Sequence, residues 1–325
     1  MTVTHDLPGG PIIPALGVGT WAWGDRNVWG MGGYDAALTE ATIAEAWEAS
    51  IDAGVTFFDT AEGYGNGESE RIIGRLLAAD RGRASKVVLA TKFIPMPWKL
   101  DVVGALRRSL EASLGRLGVA KVGLYQIHGP ISLRGHGAIA DALAAVHADG
   151  MVEAVGVSNY SVGEMRSIAS KLAERGIPLA SNQIEFSLLR RRPETGGLLA
   201  ACRELGVVPL AYSPIGQGRL TGKYDASNPP PKGRSFSDHP MTAVDAVVRV
   251  LREIGEVHDR TPSQVALQWI VAKGAVPIPG AKNGAQAEQN AGGIGWTLEP
   301  GEIARLDDVA LNGTNDLRNR FWQHG

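Results

Sequence analysis

One cysteine, Cys202, stands in the 325 residues, within a helix-like stretch. No disulfide can form inside the chain, so a reducing cytoplasm is the expected setting and Cys202 reads as a small buried hydrophobe. Charge of one sign is nowhere concentrated. The formal net charge is −2 and no block of like charges occurs, which argues against a nucleic-acid groove or an anionic membrane partner. No apolar run is long enough to span a bilayer. The opening MTVTHDLPGG has no basic region leading into an apolar one, so no signal peptide is expected. Histidine and cysteine never recur at metal-ligating spacing, and no metal is expected. Also missing is a G-x-G-x-x-G turn opening the first helix, the phosphate cradle of dinucleotide-binding open sheets.

What is present is apolar and alternating. Hydrophobic residues make up 44% of the chain, ample for a large core. Short β-branched runs at 15–20, 55–60, 87–93, 122–128, 153–158, 180–186, 207–213 and 275–280 alternate with longer helical patterns. Most of the runs are apolar throughout, the pattern of parallel strands covered on both faces. Leu106, Leu110, Leu114 and Leu117 form one helical stripe, and Ile139, Leu143 and Val146 another. Ser161 to Glu164 and Thr261 to Gln264 read as capping boxes, the latter with Pro262 where its missing N–H costs nothing. Eight strand–helix units favour a (β/α)₈ barrel, of the TIM type, over a doubly wound open sheet. The chain shows no repeat and no linker, so residues 1–325 read as one domain. A Gly/Pro/Ser-rich insertion at 214–242 and an extra helix bearing Val244, Val247, Val248, Leu251 and Ile254 follow the seventh strand. A last helix is expected near 301–311.

Active sites of such barrels form at the C-terminal ends of the strands. The second strand ends at Asp59, with Tyr64 in the loop beyond; the third ends at Lys92 and the fourth at His128. Singly, Asp59 and Lys92 could be a structural ion pair, Tyr64 a loop-packing residue and His128 a satisfied buried histidine. Jointly they suit one task. An ammonium favours a neighbouring phenolate, a carboxylate balances the ammonium, and an imidazole can hydrogen-bond a substrate oxygen. This set can protonate an oxygen that is gaining negative charge, as when hydride reaches a carbonyl.

The segments FFDTAEGYG, ATKF and LYQIH resemble three signature segments of the aldo-keto reductase superfamily. The resemblance covers nearly the whole chain. It implies a (β/α)₈ barrel that reduces aldehydes and ketones with NADPH held outside any Rossmann fold. By the same resemblance Tyr64 is the general acid, Lys92 lowers its pKa, Asp59 pairs with Lys92, and His128 orients the carbonyl. GVSNY, NQIEFS, AYSPIGQGRLTGKY and IPGAKN resemble the family's cofactor segments. They imply Ser158, Asn159 and Gln183 at the carboxamide, and Tyr212 stacked on the nicotinamide. Ser213, Pro214, Gly216, Gly218 and Arg219 are implied at the pyrophosphate. Pro279, Gly280, Lys282, Gln286, Gln289 and Asn290 fall toward the adenosine end. Lys282 at the 2′-phosphate favours NADPH (NADP⁺) over NADH.

Three positions depart from the family pattern. Gly129-Pro130 follows His128 where relatives place a bulky aromatic, Gln289 stands where a glutamate is usual, and Arg219 interrupts a more apolar loop. Trp21, Trp23, Trp29 and Trp98 lie in loops expected at the active face, as an apolar wall for a small carbonyl substrate or as rim cover. TKFIPMPWKL and the run 151–159 look most like the pyridoxal-reductase-like branch of plants and microbes, which makes the aromatic aldehyde pyridoxal a candidate substrate. Two other readings use the same residues: alcohol oxidation with NADP⁺, and a cofactor-binding regulatory subunit of the same fold. An oligomer is allowed but not required.

Overall fold

The computed structural model describes residues 4–24, 37–231 and 239–313. Two short strands, β1 (Thr4–Asp6) and β2 (Ile12–Pro14), pair antiparallel. The barrel strands follow: β3 (Gly17–Gly19), β4 (Phe57–Asp59), β5 (Val88–Phe93), β6 (Val122–Ile127), β7 (Val152–Ser158), β8 (Leu179–Glu185), β9 (Val208–Tyr212) and β10 (Val276–Pro277). Each falls on one of the eight apolar runs. They lie in chain order and parallel. The seam is drawn together where the Gly19 N–H donates to the Pro279 carbonyl at 3.0 Å and Gly19 bridges Gly280. The fold is therefore a nearly closed (β/α)₈ barrel.

The helices form where the sequence provides starts and stripes. Thr39, Ser161 and Thr261 each cap a helix through a reciprocal capping box. Leu106, Leu110, Leu114 and Leu117 are buried along Val102–Leu117, and Gly118 ends that helix at φ 67°. The extra helix Met241–His258 buries its valine–leucine–isoleucine face, and Pro300–Val309 packs against it.

Two cores result. The larger lies between barrel and helices, with Trp47, Trp269, Tyr125 and Phe186 among its members. The smaller fills the barrel with Phe57, Ala90, Leu124, Ala154, Leu210 and Val276. Leu7 and Ile13 of the β1–β2 hairpin belong to this inner cluster, so the hairpin plugs one end of the barrel.

Because strand side chains alternate in direction, the residue two positions beyond an apolar plug residue faces the same interior, as five strands show. Phe57 is followed by Asp59, Ala90 by Lys92, Leu124 by Gln126, Ala154 by Gly156 and Leu210 by Tyr212. An apolar layer thus gives way to a polar one toward the strand C-termini. The barrel positions its site by this change of layer.

Candidate active site

Lys92 organises the polar layer and is completely buried. Its Nζ donates to Asp59 Oδ1 at 2.5 Å, to the Thr60 carbonyl at 2.8 Å and to the Tyr64 hydroxyl at 3.2 Å. Burial pulls the ammonium's pKa down, but Asp59 and Tyr64 pull it up by more, so it lies above the ordinary lysine value. Asp59 is 1% exposed. Its second oxygen accepts from Gln126 Nε2 at 3.1 Å and Gln183 Nε2 at 2.8 Å.

Burial pushes the Tyr64 phenol above its usual value, while Lys92 opposes that rise. The sign of the lysine's influence is as expected, but desolvation outweighs it here. The His128 ring meets the Tyr64 ring edge-on, with centroids 5.7 Å apart. Burial, then Lys92, depress the imidazole to about 3. The ring is therefore neutral at ordinary pH, a hydrogen-bonding group rather than a proton source.

The loop that carries Tyr64 is tied down at several points. Ser69 Oγ lies 2.8 Å from Thr20 Oγ1 and 2.9 Å from Thr60 Oγ1. Glu70, fully buried at the start of Glu68–Ala79, accepts from Thr91 Oγ1 and Arg116 Nε, each at 2.6 Å. Gly65 adopts φ 58°, and a Cβ there would fall 1.8 Å from the Gly24 carbonyl oxygen. Gly65→Ala is accordingly expected to push the loop off Gly24 and shift Tyr64. We expect kcat to fall by about 100-fold, the scale of a 1 Å misplacement.

Beyond the tetrad, Tyr212 donates to Asn159 Oδ1 at 3.0 Å, and Asn159 Nδ2 donates to Ser158 Oγ at 3.1 Å. Ser158 Oγ donates to the Gln183 carbonyl at 3.0 Å. These four residues form one connected group beside Asp59, with Asn159 held at φ 62°. After β9 the chain enters a run with Ser213, Gly216, Gln217 and Gly218 at φ 50°, 56°, 52° and 92°. Left-handed backbone of this kind can line a concave surface suited to an anion, although the N–H groups of Gly216 and Gly218 already donate within the loop, to the Ser213 and Ile215 carbonyls at 2.9 and 3.0 Å. It is strained at Ser213 and Gln217, by about 1–3 kcal/mol each. Pro214 is buried within this run, and Arg219 is 3% exposed, with Nη1 donating to the Gly216 carbonyl at 3.3 Å.

Around β10, Pro279 takes part in the barrel seam. Asn290 Nδ2 donates to the Gly280 carbonyl at 3.2 Å, and the Lys282 N–H donates to Gln286 Oε1 at 3.1 Å. Gln289 turns elsewhere: its amide reaches Thr261 Oγ1 at 3.4 Å and Ser263 Oγ at 3.3 Å, at the start of Pro262–Ala272.

Trp21, Trp23 and Trp98 stand in different environments. Trp23 is 1% exposed and donates its indole N–H to the Ala281 carbonyl at 2.7 Å. It is a core residue behind the rim, drawn in by its packing near Phe58. Trp98 is 71% exposed, and Trp21 is half-buried. Trp29 lies outside the described residues.

Gln126 joins the site without standing out in the sequence. The available signal was a lone amide inside the apolar strand LYQIH, where a buried polar group must find partners.

A model of the Aldo/keto reductase family matches residues 15–311. The chain belongs to this family, and it is an oxidoreductase. It is 35% identical to the chloroplastic pyridoxal reductase of Arabidopsis thaliana, over 97% of this chain and 88% of that protein. Among solved structures, the glycerol dehydrogenase of Gluconobacter oxydans superposes with a TM-score of 0.80 at 28% identity, covering 97% of this chain and 98% of the other. An aldo/keto reductase from Klebsiella pneumoniae, in complex with NADP and acetate, superposes with a TM-score of 0.74 at 25% identity, covering 97% and 98%.

Proposed function

We propose that the chain reduces an aldehyde or ketone with NADPH, and that Tyr64 delivers the proton to the carbonyl oxygen. The observation that carries this reading is the Tyr64 hydroxyl 3.2 Å from an ammonium that is itself locked to Asp59 at 2.5 Å. When bound, the reduced nicotinamide supplies the hydride. As the carbonyl carbon accepts it, the oxygen takes the phenolic proton, and Lys92 stabilises the phenolate left behind. A neutral His128 cannot be the acid, so it serves by orienting the carbonyl oxygen. Deprotonation of Tyr64 ends reduction as pH rises. The same groups in reverse oxidise an alcohol. The complete tetrad speaks against a purely regulatory role.

The residues present fit a nicotinamide dinucleotide. The left-handed loop 213–218 with Arg219 suits a pyrophosphate, and Tyr212 offers a ring face. Gln183, with its amide nitrogen on Asp59, has its oxygen end to offer a carboxamide N–H. NADP in the Klebsiella relative supports the same assignment. Lys282 would meet a 2′-phosphate, and Gln286 and Asn290 brace the backbone around it. Gln289 is engaged at a helix start and contributes least. The pyridoxal reductase relative makes pyridoxal the first substrate to try. Among the described residues no helix is long and apolar enough to cross a membrane. A cytoplasmic setting is proposed on the single buried thiol, although the plant relative is named as chloroplastic.

The test is oxidation of NADPH, with NADH in parallel, against pyridoxal, other aldehydes and ketones. Turnover of at least one carbonyl with NADPH preferred is expected; no turnover on the whole panel overturns the reading. Lys282→Met should raise the NADPH KM by about tenfold or more, the scale of one hydrogen bond to a charged group, and leave the NADH KM unchanged. Equal effects on both would remove Lys282 from the 2′-phosphate.

A further inference from the structure

Asp59 needs more than Lys92. A carboxylate that is 1% exposed carries several lone pairs, and each must be satisfied or the charge becomes expensive. Gln126 and Gln183 supply neutral N–H donors to Oδ2. Such donors stabilise the anion without cancelling the charge that Lys92 requires. Gln183 is already engaged with the group formed by Ser158, Asn159 and Tyr212. Gln126 lies outside that group and is completely buried in the strand next to the one that carries Lys92.

Its other end is held as well. Ser181 Oγ donates to Gln126 Oε1 at 3.4 Å. These residues lie on β6 and β8, with β7 between them. Gly156 is in register with both, paired to Gln126 on one side and to Ser181 on the other. A Cβ at Gly156 would fall 2.2 Å from Ser181 Oγ and 3.1 Å from Gln126 Cγ. The missing side chain is what lets the serine and the amide meet across the intervening strand. With an acceptor-only carboxylate at one end and a hydroxyl donor at the other, the amide has one satisfying orientation, nitrogen to Asp59 and oxygen to Ser181.

We propose that Gln126, fixed by Ser181 through the gap at Gly156, is a positioning residue that holds the Asp59 carboxylate in the geometry that locks Lys92 under Tyr64. This rests on the reading of Tyr64 as proton donor. It assigns the reaction a residue that touches neither substrate nor cofactor and acts through Asp59.

Two near-isosteric substitutions test it. Gln126→Met removes the donor at similar volume. Its kcat for the carbonyl reduced by the wild-type protein should fall roughly tenfold or more, the scale of a lost hydrogen bond to a charged group, with the NADPH Kd unchanged. Gln126→Glu replaces the donor by a group that donates only when protonated. The charged groups facing it are Asp59 from β4 and Lys92 from β5. From β7 and β8 come Gly156, Ser181 and Gln183, none titratable, and Tyr64 lies above Lys92. Burial and the neighbouring carboxylate raise the introduced carboxyl and Lys92 opposes them; with the donor position facing Asp59 the rise prevails. Activity of this variant should therefore climb as pH is lowered from about 8 to about 6, following that titration, a limb the wild-type protein lacks.

Its stability relative to wild type should fall as pH rises through the same interval, since a raised carboxyl pKa stabilises only while the proton is held. That readout does not depend on turnover. A wild-type protein inactive on every carbonyl would overturn the functional reading, and the stability difference would still judge the Gln126–Asp59 contact. An active wild type with Gln126→Met within twofold of it, or a Gln126→Glu variant whose activity and stability follow pH in parallel with wild type, overturns this inference alone. If Gln126→Met fails to fold, the Gln126→Glu pH profile decides.

Discussion

Tyr64→Phe is expected to lower kcat for carbonyl reduction by about 10²- to 10⁴-fold, the range of general acid catalysis. The substitution removes one oxygen atom. That oxygen accepts a hydrogen bond from Lys92 at 3.2 Å, while the ring's edge-on contact with His128 is kept. Packing should be preserved, so the unfolding midpoint and the NADPH Kd should move little. The residual rate should not be carried by His128. With its imidazole depressed to about 3, no imidazolium is available at pH 6 to 8, and the variant should show no acid-side recovery until well below that range. Steady-state kinetics at several pH values, with cofactor titration in parallel, settles both points. A variant with near wild-type kcat would remove Tyr64 from the reaction.

Lys92→Met should damage both stability and activity. Removing the ammonium leaves Asp59 buried without its countercharge, a change worth about 3–5 kcal/mol, or roughly 4–7 °C in thermal midpoint for a chain of this size. Catalysis falls for a separate reason, because the phenolate of Tyr64 loses the positive charge that stabilises it. The two effects can be separated. Adding Asp59→Asn to Lys92→Met removes the orphaned carboxylate while Gln126 and Gln183 keep an oxygen to donate to. The double variant should recover most of the lost stability and none of the lost rate. Additive losses in both would mean that the two side chains act independently, contrary to their 2.5 Å contact.

The barrel was legible because its strands are covered on both faces, and such strands announce themselves as unbroken apolar runs. All eight runs became strands. The stripes of Val102–Leu117 and Met241–His258 were equally plain, since 3.6-residue periodicity survives wherever one helix face is buried. The β1–β2 hairpin leaves little trace in the sequence. Its strands are three residues long, and Thr4–Asp6 is polar and partly exposed; the turn at Pro8-Gly9-Gly10 was the one available sign. At the site, Asp59, Tyr64, Lys92 and His128 could be placed together because each ends or follows a strand.

Other parts depended on three-dimensional placement. Nothing local distinguishes Trp23, which is buried and bonded to Ala281, from Trp98, which is largely exposed. The contact of Gln126 with Ser181 arises from register across Gly156, a relation between three strands that no single stretch of sequence contains.

The barrel seam also bears on how the protein is made. Trp23 donates to Ala281 across 258 positions of sequence, and Gly19 pairs with Pro279 and Gly280. On the ribosome, β3 and the hairpin behind it emerge early and have no closing partner until β10 is translated. Through that interval the nascent sheet carries two open edges, the condition under which strands pair with the wrong neighbour. Long-range closure of this kind makes completion of the barrel slow relative to its local helices. The edge of the first barrel strand is thus the one left unpaired longest during synthesis, because its closing partner is the last strand to be made.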